Sequence, residues 1–234
     1  MMKNSPIIIA LDFPDKKSTD HFISQITPEL GALKIGKNLF TQYGPDYVRE
    51  LIQKGFKVFL DLKFHDIPKT VFDACTAAAE LGVWMVNAHV AGGVAMMCAA
   101  RDAINAFPAA SRPLLIGVTV LTSLDESDLR LLGIHDSIEN TVLRFAHVAK
   151  ECKLDGVVCS AKEALLLRKE LGKDFLLVTP GIRLEFDSNA DQKRVATPRI
   201  ALNNGANYLV IGRSITHAKD PVAVLKQLLH ENVC

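Results

Sequence analysis

The sequence predicts a single α/β domain over residues 1–234, with the architecture of a TIM (β/α)8 barrel. Eight short apolar runs of strand length alternate with segments of helical periodicity. This alternation favours a parallel sheet covered by helices, and no change in composition marks a linker. A chain of roughly 200 to 250 residues suits one such barrel. A doubly wound open sheet is the alternative architecture.

The eight predicted strands are nearly continuous apolar runs that tend to end in a polar residue. Such runs are typical of strands that are buried on both faces of a parallel sheet. In chain order they are Ile7 to Asp12, Ala32 to Ile35, Val58 to Lys63, Trp84 to His89, Leu114 to Thr119, Gly156 to Ser160, Leu176 to Thr179 and Tyr208 to Ile211.

Capping residues mark the helix starts between these strands. Ser160-x-x-Glu163 and Asp136-x-x-Glu139 both match a capping box, in which two side chains satisfy backbone N–H groups reciprocally. Asp220 precedes a proline, which suits an N-cap followed by the first helical residue. The segment after Asp136 has one apolar face, formed by Ile138, Val142, Phe145 and Ala149.

One uncharged stretch, Leu81 to Ala100, is about long enough to span a membrane. Asn87 and the pair Gly92-Gly93 interrupt it, so we interpret it as a strand, a turn and a helix. The first ten residues contain too short an apolar run for a signal peptide. We therefore expect a cytoplasmic protein without a membrane partner.

Charge and cysteine content exclude several classes of partner. The net charge is +1 and no basic stripe is present, so we expect no nucleic-acid partner. The number of cysteines is odd and no Cys-x-x-Cys pair occurs, which argues against a disulfide framework or a zinc site. We expect reduced and mostly buried thiols at Cys75, Cys98, Cys152, Cys159 and Cys234.

Polar side chains collect at the carboxyl ends of the predicted strands, where βα barrels place their active sites. Asp61 and Lys63 share one face of an extended chain, and Asp66 follows just beyond the strand. This group is a candidate acid–base centre, and a surface salt bridge is the alternative. Other strand-end residues are Asp12, Lys34, His89, Thr122 and Arg213.

The loops after the seventh and eighth strands predict a phosphate site, because barrels commonly bind phosphate there. Residues 179–183 read Thr-Pro-Gly-Ile-Arg, and residues 211–214 read Ile-Gly-Arg-Ser. Glycine permits close approach of the backbone, and arginine can grip a phosphate with two hydrogen bonds. Alternatively, Arg183 bridges a loop carboxylate such as Glu185.

Six motifs in order, from about residue 7 to about residue 225, resemble the bacterial orotidine 5′-phosphate decarboxylases. The central motif is Asp61-x-Lys63-x-x-Asp66-Ile67-Pro68-x-Thr70. Its Ile-Pro-x-Thr continuation is informative, because relatives that decarboxylate sugar phosphates resemble the Asp-x-Lys-x-x-Asp core alone. The other motifs are Ala10-Leu11-Asp12, Leu33-Lys34-Ile35-Gly36, Val120-Leu121-Thr122-Ser123, Pro180-Gly181-Ile182-Arg183 and Ile211-Gly212-Arg213-Ser214.

The resemblance implies decarboxylation of orotidine 5′-monophosphate to uridine 5′-monophosphate and CO2, the last step of UMP synthesis, without a cofactor or metal. Lys63 would protonate the pyrimidine carbon that loses CO2, and Asp61 would face the departing carboxylate. Lys34 and Asp66 would complete a row of alternating charges.

The resemblance also implies which residues bind the substrate. Asp66 and Thr70 would reach the active site of a partner subunit, which makes the enzyme an obligate homodimer. Asp12 would bind the ribose hydroxyls and Thr122 the pyrimidine edge. The polar segment from Arg183 to Arg194 is interpreted as a lid. The phosphate would be held by Gln192, Gly212 and Arg213, with Arg183 beside them.

Two other functions stay open at this point. One is a magnesium-dependent sugar-phosphate decarboxylase or aldolase of the same superfamily, and the other is a non-catalytic sensor of a phosphate ligand. The intact charged row argues against the sensor, because an unused buried charge costs stability unless it is paired. His65 and His89 could suggest a metal near the mouth, but we interpret His65 as a supporting group. Cys159 has no identifiable base and is interpreted as core.

Overall fold

A computed structural model describes residues 5–184 and 196–233. In it, eight parallel strands close into a barrel in which each strand pairs with its neighbours in the sequence, and the first strand pairs with the eighth. The predicted barrel is therefore confirmed and the open sheet is excluded. The strands are Ile7–Ala10 (β1), Ala32–Gly36 (β2), Val58–Phe64 (β3), Met85–His89 (β4), Leu114–Val118 (β5), Gly156–Val158 (β6), Leu176–Thr179 (β7) and Tyr208–Ile211 (β8).

Helices cover the outside of the barrel. Gly44 interrupts the second helix with a φ of 62°, a left-handed conformation that glycine adopts without steric cost. Short 3-10 turns lie at Pro28–Leu30 and Val90–Gly92. The helices are Lys16–Ile23 (α1), Lys37–Gln53 (α2), Pro68–Glu80 (α3), Gly93–Asn105 (α4), Glu126–Leu131 (α5), Ile138–Glu151 (α6), Ala161–Leu171 (α7), Pro198–Asn203 (α8), Arg213–Thr216 (α9) and Pro221–Val233 (α10).

Two of the three predicted helix starts are confirmed. At α7, the Glu163 carboxylate accepts a hydrogen bond from the backbone N–H of Ser160 at 2.7 Å. At α10, the Asp220 carboxylate accepts one from the backbone N–H of Ala223 at 2.9 Å, next to the proline that begins the helix. Both carboxylates lie where the positive end of the helix dipole favours a negative charge.

The predicted cap at Asp136 is wrong by one residue. Helix α6 begins at Ile138, and its N-cap is Ser137, whose hydroxyl accepts a hydrogen bond from the backbone N–H of Asn140 at 3.2 Å. The Asp136 carboxylate instead accepts from the Arg144 guanidinium at 2.7 Å. Serine and aspartate cap helices about equally well, so two adjacent candidates cannot be ranked by type alone.

Several predicted strand ends lie outside the ladders of hydrogen-bonded pairs. Asp12, Thr119 and Ser160 fall one or two residues past β1, β5 and β6, and Trp84 precedes β4. An apolar run extends up to its first polar residue, whereas pairing stops where the barrel wall opens. This difference matters for Asp12, which is free of the ladder and exposed to solvent.

The long uncharged stretch divides as predicted into β4, a 3-10 turn and α4. Helix α4 packs one face into the core, since Met96 and Met97 are fully buried. Within the described parts of the chain, no helix combines the length and the apolar character needed to cross a bilayer.

The barrel interior is packed with side chains that alternate along the strands. Inward-facing residues from seven strands form a core of their own, separate from the larger core between the strands and the helices. Trp84 and Tyr208 meet edge to face, with ring centroids 5.1 Å apart, against this inner core at the amino ends of β4 and β8. The inner core consists of Ile8, Ala10, Ala32, Phe59, Met85, Ile116, Val178 and Val210.

The same alternation carries polar side chains into the opposite end of the barrel. Side chains two residues apart on a strand point to the same side. Lys34 lies two residues after the inner-core residue Ala32 on β2, and Asp61 lies two residues after the inner-core residue Phe59 on β3. On β4, Asn87 follows Met85 in the same way. Three adjacent strands therefore place a lysine, an aspartate and an asparagine on the inner face, towards their carboxyl ends.

Candidate active site

A cavity of about 500 Å³ opens at the carboxyl ends of the strands. Its floor is apolar and includes Phe59, Val158 and Val178 from three different strands. Its position is the one at which βα barrels carry their active sites. Eight of the predicted site residues line this cavity together: Asp12, Lys34, Asp61, Lys63, Thr122, Arg183, Gly212 and Arg213.

Asp61 lies between two lysines at the centre of the cavity wall. Its carboxylate oxygens are 3.3 Å from the Lys34 ammonium nitrogen and 2.6 Å from that of Lys63. The Asp61 and Lys34 side chains are each only 11% exposed, so little water separates these charges. Asp12 lies 3.7 Å from Lys34 but is mostly exposed. The result is a row of alternating charges that runs along one side of the cavity.

The two ammonium groups keep Asp61 ionised. Burial alone would raise the pKa of this carboxyl, because a buried carboxylate loses its hydration. The positive charges of Lys34 and Lys63, together with hydrogen bonds from Lys63 and Asn87, outweigh the burial and lower the pKa of Asp61 below its ordinary value. A negative charge is therefore held in place inside the cavity at neutral pH.

Asp66 and Thr70 do not join the other predicted residues. Both are exposed, and they line a separate depression of about 280 Å³ beside the cavity. The Asp66 carboxylate accepts a hydrogen bond from the backbone N–H of Ile67 at 2.6 Å, and Ile67 itself is 67% exposed. Within one chain, three members of the predicted charged row therefore meet, and the fourth lies on an adjoining surface.

The predicted phosphate end of the cavity is formed by the loops after β7 and β8. Arg183, Gly212 and Arg213 line it, and α9 begins at Arg213 directly after β8. The backbone N–H of Arg183 donates to the Ala196 carbonyl at 3.0 Å, which joins the two described ends of this loop. Gln192, Glu185 and most of the lid predicted from Arg183 to Arg194 lie outside the described residues.

Sequence reasoning missed one functional candidate, Asn87. Its amide nitrogen donates to the Asp61 carboxylate at 2.7 Å, and its amide oxygen accepts from the backbone N–H of Lys63 at 2.8 Å. Asn87 has no solvent exposure. A signal was present in the sequence, because a carboxamide inside an otherwise apolar strand needs polar partners.

His65, His89 and Cys159 lie near the cavity, and their surroundings differ from those of the charged residues. His89 lies with its ring centroid 5.4 Å from that of His65. Burial, assisted by the nearby charges of His65 and Lys63, lowers the pKa of His89 to about 4. Cys159 is buried in the cavity wall, and burial raises its pKa far above the ordinary value. Among the described residues, no cluster of three or more His, Cys, Asp or Glu side chains could hold a metal ion.

Chemically, the cavity presents an ionised carboxylate and an adjacent ammonium above an apolar floor, with arginines at its edge. An ammonium in such a place stabilises a negative charge that develops beside it, and it can also donate a proton. The arginines suit an anionic group such as a phosphate. The arrangement fits a small anionic substrate at whose reacting atom negative charge develops.

The family model described as orotidine 5′-phosphate decarboxylase / HUMPS family matches residues 5–228, nearly the whole chain. The chain belongs to this family. The predicted membership is thereby confirmed. Curated relatives named orotidine 5′-phosphate decarboxylase include the protein of Coxiella burnetii, 55% identical over 97% of both chains. The protein of Neisseria meningitidis is 53% identical over 97% of this chain and 92% of its own.

Solved structures of similar proteins have the same fold as this chain. Orotidine 5′-phosphate decarboxylase from Lactobacillus acidophilus superposes with a TM-score of 0.88 at 37% identity, covering 98% of this chain and all of the other. An uncharacterised conserved protein from Geobacillus kaustophilus gives a TM-score of 0.85 at 43% identity, covering 97% and 99% of the two chains.

Proposed function

We propose that this chain decarboxylates orotidine 5′-monophosphate to uridine 5′-monophosphate and CO2, the last step of UMP synthesis, in the cytoplasm. The observation that carries the proposal is the ionised Asp61, held between Lys34 and Lys63 in the cavity. The family name also covers HUMPS proteins, but relatives that share 52–55% of residues over 97% of the chain are named for this decarboxylase.

Asp61 lowers the barrier to decarboxylation because its negative charge repels the carboxylate of the substrate. Two carboxylates about 4 Å apart repel by about 1 kcal/mol in water and by about 4 kcal/mol at an effective dielectric constant near 20. The repulsion disappears as neutral CO2 forms. Enzymes lower barriers by about 8 to 23 kcal/mol, so this repulsion supplies only part of the effect.

Lys63 supplies the larger part of the reduction of the barrier. When the bond between the ring carbon and the carboxylate breaks, its electron pair stays on the ring carbon and CO2 leaves. The Lys63 ammonium, already fixed 2.6 Å from Asp61, stabilises this developing carbanion without having to reorganise. It then transfers a proton to the carbon, and the neutral amine regains a proton from solvent.

The remaining cavity residues hold the substrate. Asp12 is assigned to the ribose hydroxyls and Thr122 to the pyrimidine edge, while Arg213 and Gly212 are assigned to the phosphate. Gln192 and Arg183 are assigned to the phosphate as well. Interactions with a phosphate remote from the reacting bond can offset the cost of ordering the site around the ring.

The proposed enzyme is a homodimer that completes each active site with residues from both subunits. Asp66 and Thr70 are exposed beside the cavity and do not reach into it, which suits a role in the partner's site. The fourth charge of the row would then come from the partner's copy of Asp66. No cofactor takes part in this mechanism.

The test is the ultraviolet absorbance of orotidine 5′-monophosphate mixed with the protein in excess EDTA, because decarboxylation changes the pyrimidine chromophore. We expect rapid loss of the substrate signal, and no loss with Lys63→Ala. An inactive but folded parent would contradict the proposal. The next assay would then contain magnesium and a keto-sugar phosphate, the substrate class of the alternative enzyme.

A further inference from the structure

We propose that Asn87 is a positioning residue, which holds Asp61 and Lys63 in the geometry that the decarboxylation needs. This inference rests on the proposed function and deepens it. Asn87 does not line the cavity, so it acts through the two residues that it contacts.

The first observation is a bulge between β3 and β4. The two strands pair at Leu60 with Val86 and again at Phe64 with Ala88. Three residues of β3, numbers 61 to 63, therefore lie opposite Asn87 alone. A bulge of this kind breaks the ladder of backbone hydrogen bonds and redirects side chains, and bulges are frequent next to active sites.

The Asn87 side chain takes the place of the missing ladder contacts. Its amide oxygen accepts from the backbone N–H of Lys63, the last residue of the bulge, at 2.8 Å. Its amide nitrogen donates to the carboxylate of Asp61, the first residue of the bulge, at 2.7 Å. A carboxamide provides the donor and the acceptor that this pair of contacts requires, so both ends of the bulge are bound to one rigid group.

The backbone of Lys63 explains why such support is needed. Its φ is 53°, a left-handed conformation that residues other than glycine adopt at a cost. The hydrogen bond from the Lys63 N–H to Asn87 favours this conformation, which in turn directs the Lys63 ammonium to 2.6 Å from Asp61. Without Asn87, the part-buried N–H group of Lys63 and the buried carboxylate of Asp61 each lose a partner.

The first variant is Asn87→Ala, which removes both contacts. A misplacement of about 1 Å can cost about 100-fold in rate, so we expect kcat for orotidine 5′-monophosphate to fall by about that factor. Affinity for uridine 5′-monophosphate should change by less than about threefold, because Asn87 forms its hydrogen bonds to Lys63 and Asp61 and not to the residues assigned to the ribose and phosphate. That affinity also reports whether the variant folds.

Asn207→Ala is the matched control. The Asn207 amide oxygen likewise accepts a backbone N–H, that of Leu177 at 2.8 Å, but Asn207 lies at the opposite end of the barrel. We expect this variant to lose stability and to keep kcat within about threefold of the parent. A general loss of strand support would lower kcat in both variants.

The second variant, Asn87→Asp, has nearly the same shape and adds a pH readout. The new carboxyl group would repel Asp61 when it is ionised, whereas in its protonated form it can donate to Asp61 as the amide does. The ratio of variant to parent kcat should therefore be low near about pH 8 and rise as the pH falls to about 6. A side chain that only fills space would give a ratio independent of pH.

The outcomes separate this inference from the function on which it rests. If the parent does not consume orotidine 5′-monophosphate, the proposed function fails. If the parent is active and both Asn87 variants keep kcat within about threefold at every pH, only the role of Asn87 is overturned. A deficit in Asn87→Ala, together with a pH-dependent ratio in Asn87→Asp, would support it.

Discussion

Lys63 combines a favourable ion pair with an unfavourable backbone conformation. Its ammonium forms the shortest contact to Asp61 in the cavity, and its backbone lies in the left-handed region at a φ of 53°. For residues other than glycine, that conformation costs roughly 1 kcal/mol or more. The geometry that aims the ammonium is therefore strained, and strain of this kind is concentrated at functional sites.

We expect Lys63→Gly to be more stable than Lys63→Ala by about 1 kcal/mol, although both variants lack the ammonium and should be inactive. Urea unfolding of the two variants measures the difference. At Lys226, an exposed residue in the interior of α10, the order should reverse, because glycine is about 1 kcal/mol worse than alanine within a helix. Equal stabilities at position 63 would contradict a strained backbone.

His89 makes the stability of the fold depend on pH. Its pKa is about 4 in the folded protein and about 6.5 when unfolded, so the unfolded chain binds more protons between these values. The free energy of unfolding should therefore fall as the pH drops from about 6.5 to about 4. The shift corresponds to at most about 3 kcal/mol, and because His89 is only partly buried we expect a loss of about 1 kcal/mol.

Replacement of the histidine tests this prediction. His89→Asn should lose less stability than the parent between about pH 6.5 and pH 4, by about 1 kcal/mol in denaturant titrations. The exposed His147 provides the control, since His147→Asn should follow the parent curve. Parallel curves for His89→Asn and the parent would show that His89 does not carry the pH dependence.

Two cysteines that are distant in the sequence bring their thiols together, one on α4 and one at the end of α6. Cys98 on α4 is exposed, and its sulfur lies 3.6 Å from that of Cys152, which directly follows α6. Burial and the neighbouring Cys98 raise the pKa of Cys152 to about 11, so Cys98 is the thiol that meets a reagent first. The prediction of mostly buried thiols is confirmed, since Cys75, Cys152 and Cys159 are buried and only Cys98 among the described cysteines is exposed.

We expect a small disulfide such as oxidised glutathione to convert this pair to an internal disulfide. The Cys98 thiolate attacks the reagent and releases one thiol, and Cys152 then displaces the second thiol. Mass spectrometry should show a loss of about 2 Da, which Cys98→Ser prevents and Cys75→Ser does not. A stable mixed disulfide on Cys98 would show that the two sulfurs cannot close to bonding distance.

At the scale of the whole molecule, the exposed position of Asp66 suits an active site that is built by two chains. Asp66 and Thr70 are exposed on a surface that also carries Ile67, a large apolar side chain. Exposed apolar residues beside a polar cluster suit contact with another chain. In a twofold dimer the same patch would meet its own copy, so each cavity would receive one loop from its partner.

Mixed dimers test this arrangement. Lys63→Ala and Asp66→Ala should each be inactive alone, because every site lacks one charge. A dimer that contains one chain of each kind has one complete site, so a heterodimer isolated by two different affinity tags should show about half the parental activity. An inactive heterodimer would place Lys63 and Asp66 in the site of a single chain.

Much of the fold and part of the site follow from local patterns. The eight strands and the cap of α7 were predictable because apolar runs and caps depend on residues that are close in sequence. The order of strands in a barrel then brings their carboxyl ends together, which made the convergence of Lys34, Asp61 and Lys63 predictable as well. The exact strand ends and the cap of α6 were not, since neighbouring residues offered equivalent choices.

The tertiary structure alone decided three features: the bulge opposite Asn87, the left-handed backbone of Lys63, and the approach of Cys98 to Cys152. Each depends on the register between strands or on the packing of helices that are distant in sequence. Sequence patterns report which face of an element is buried, but they do not report which atoms on another element lie opposite. The types of charged residue were therefore visible in the chain, whereas the contacts of Asn87 with Asp61 and Lys63 form only when β3 and β4 pair.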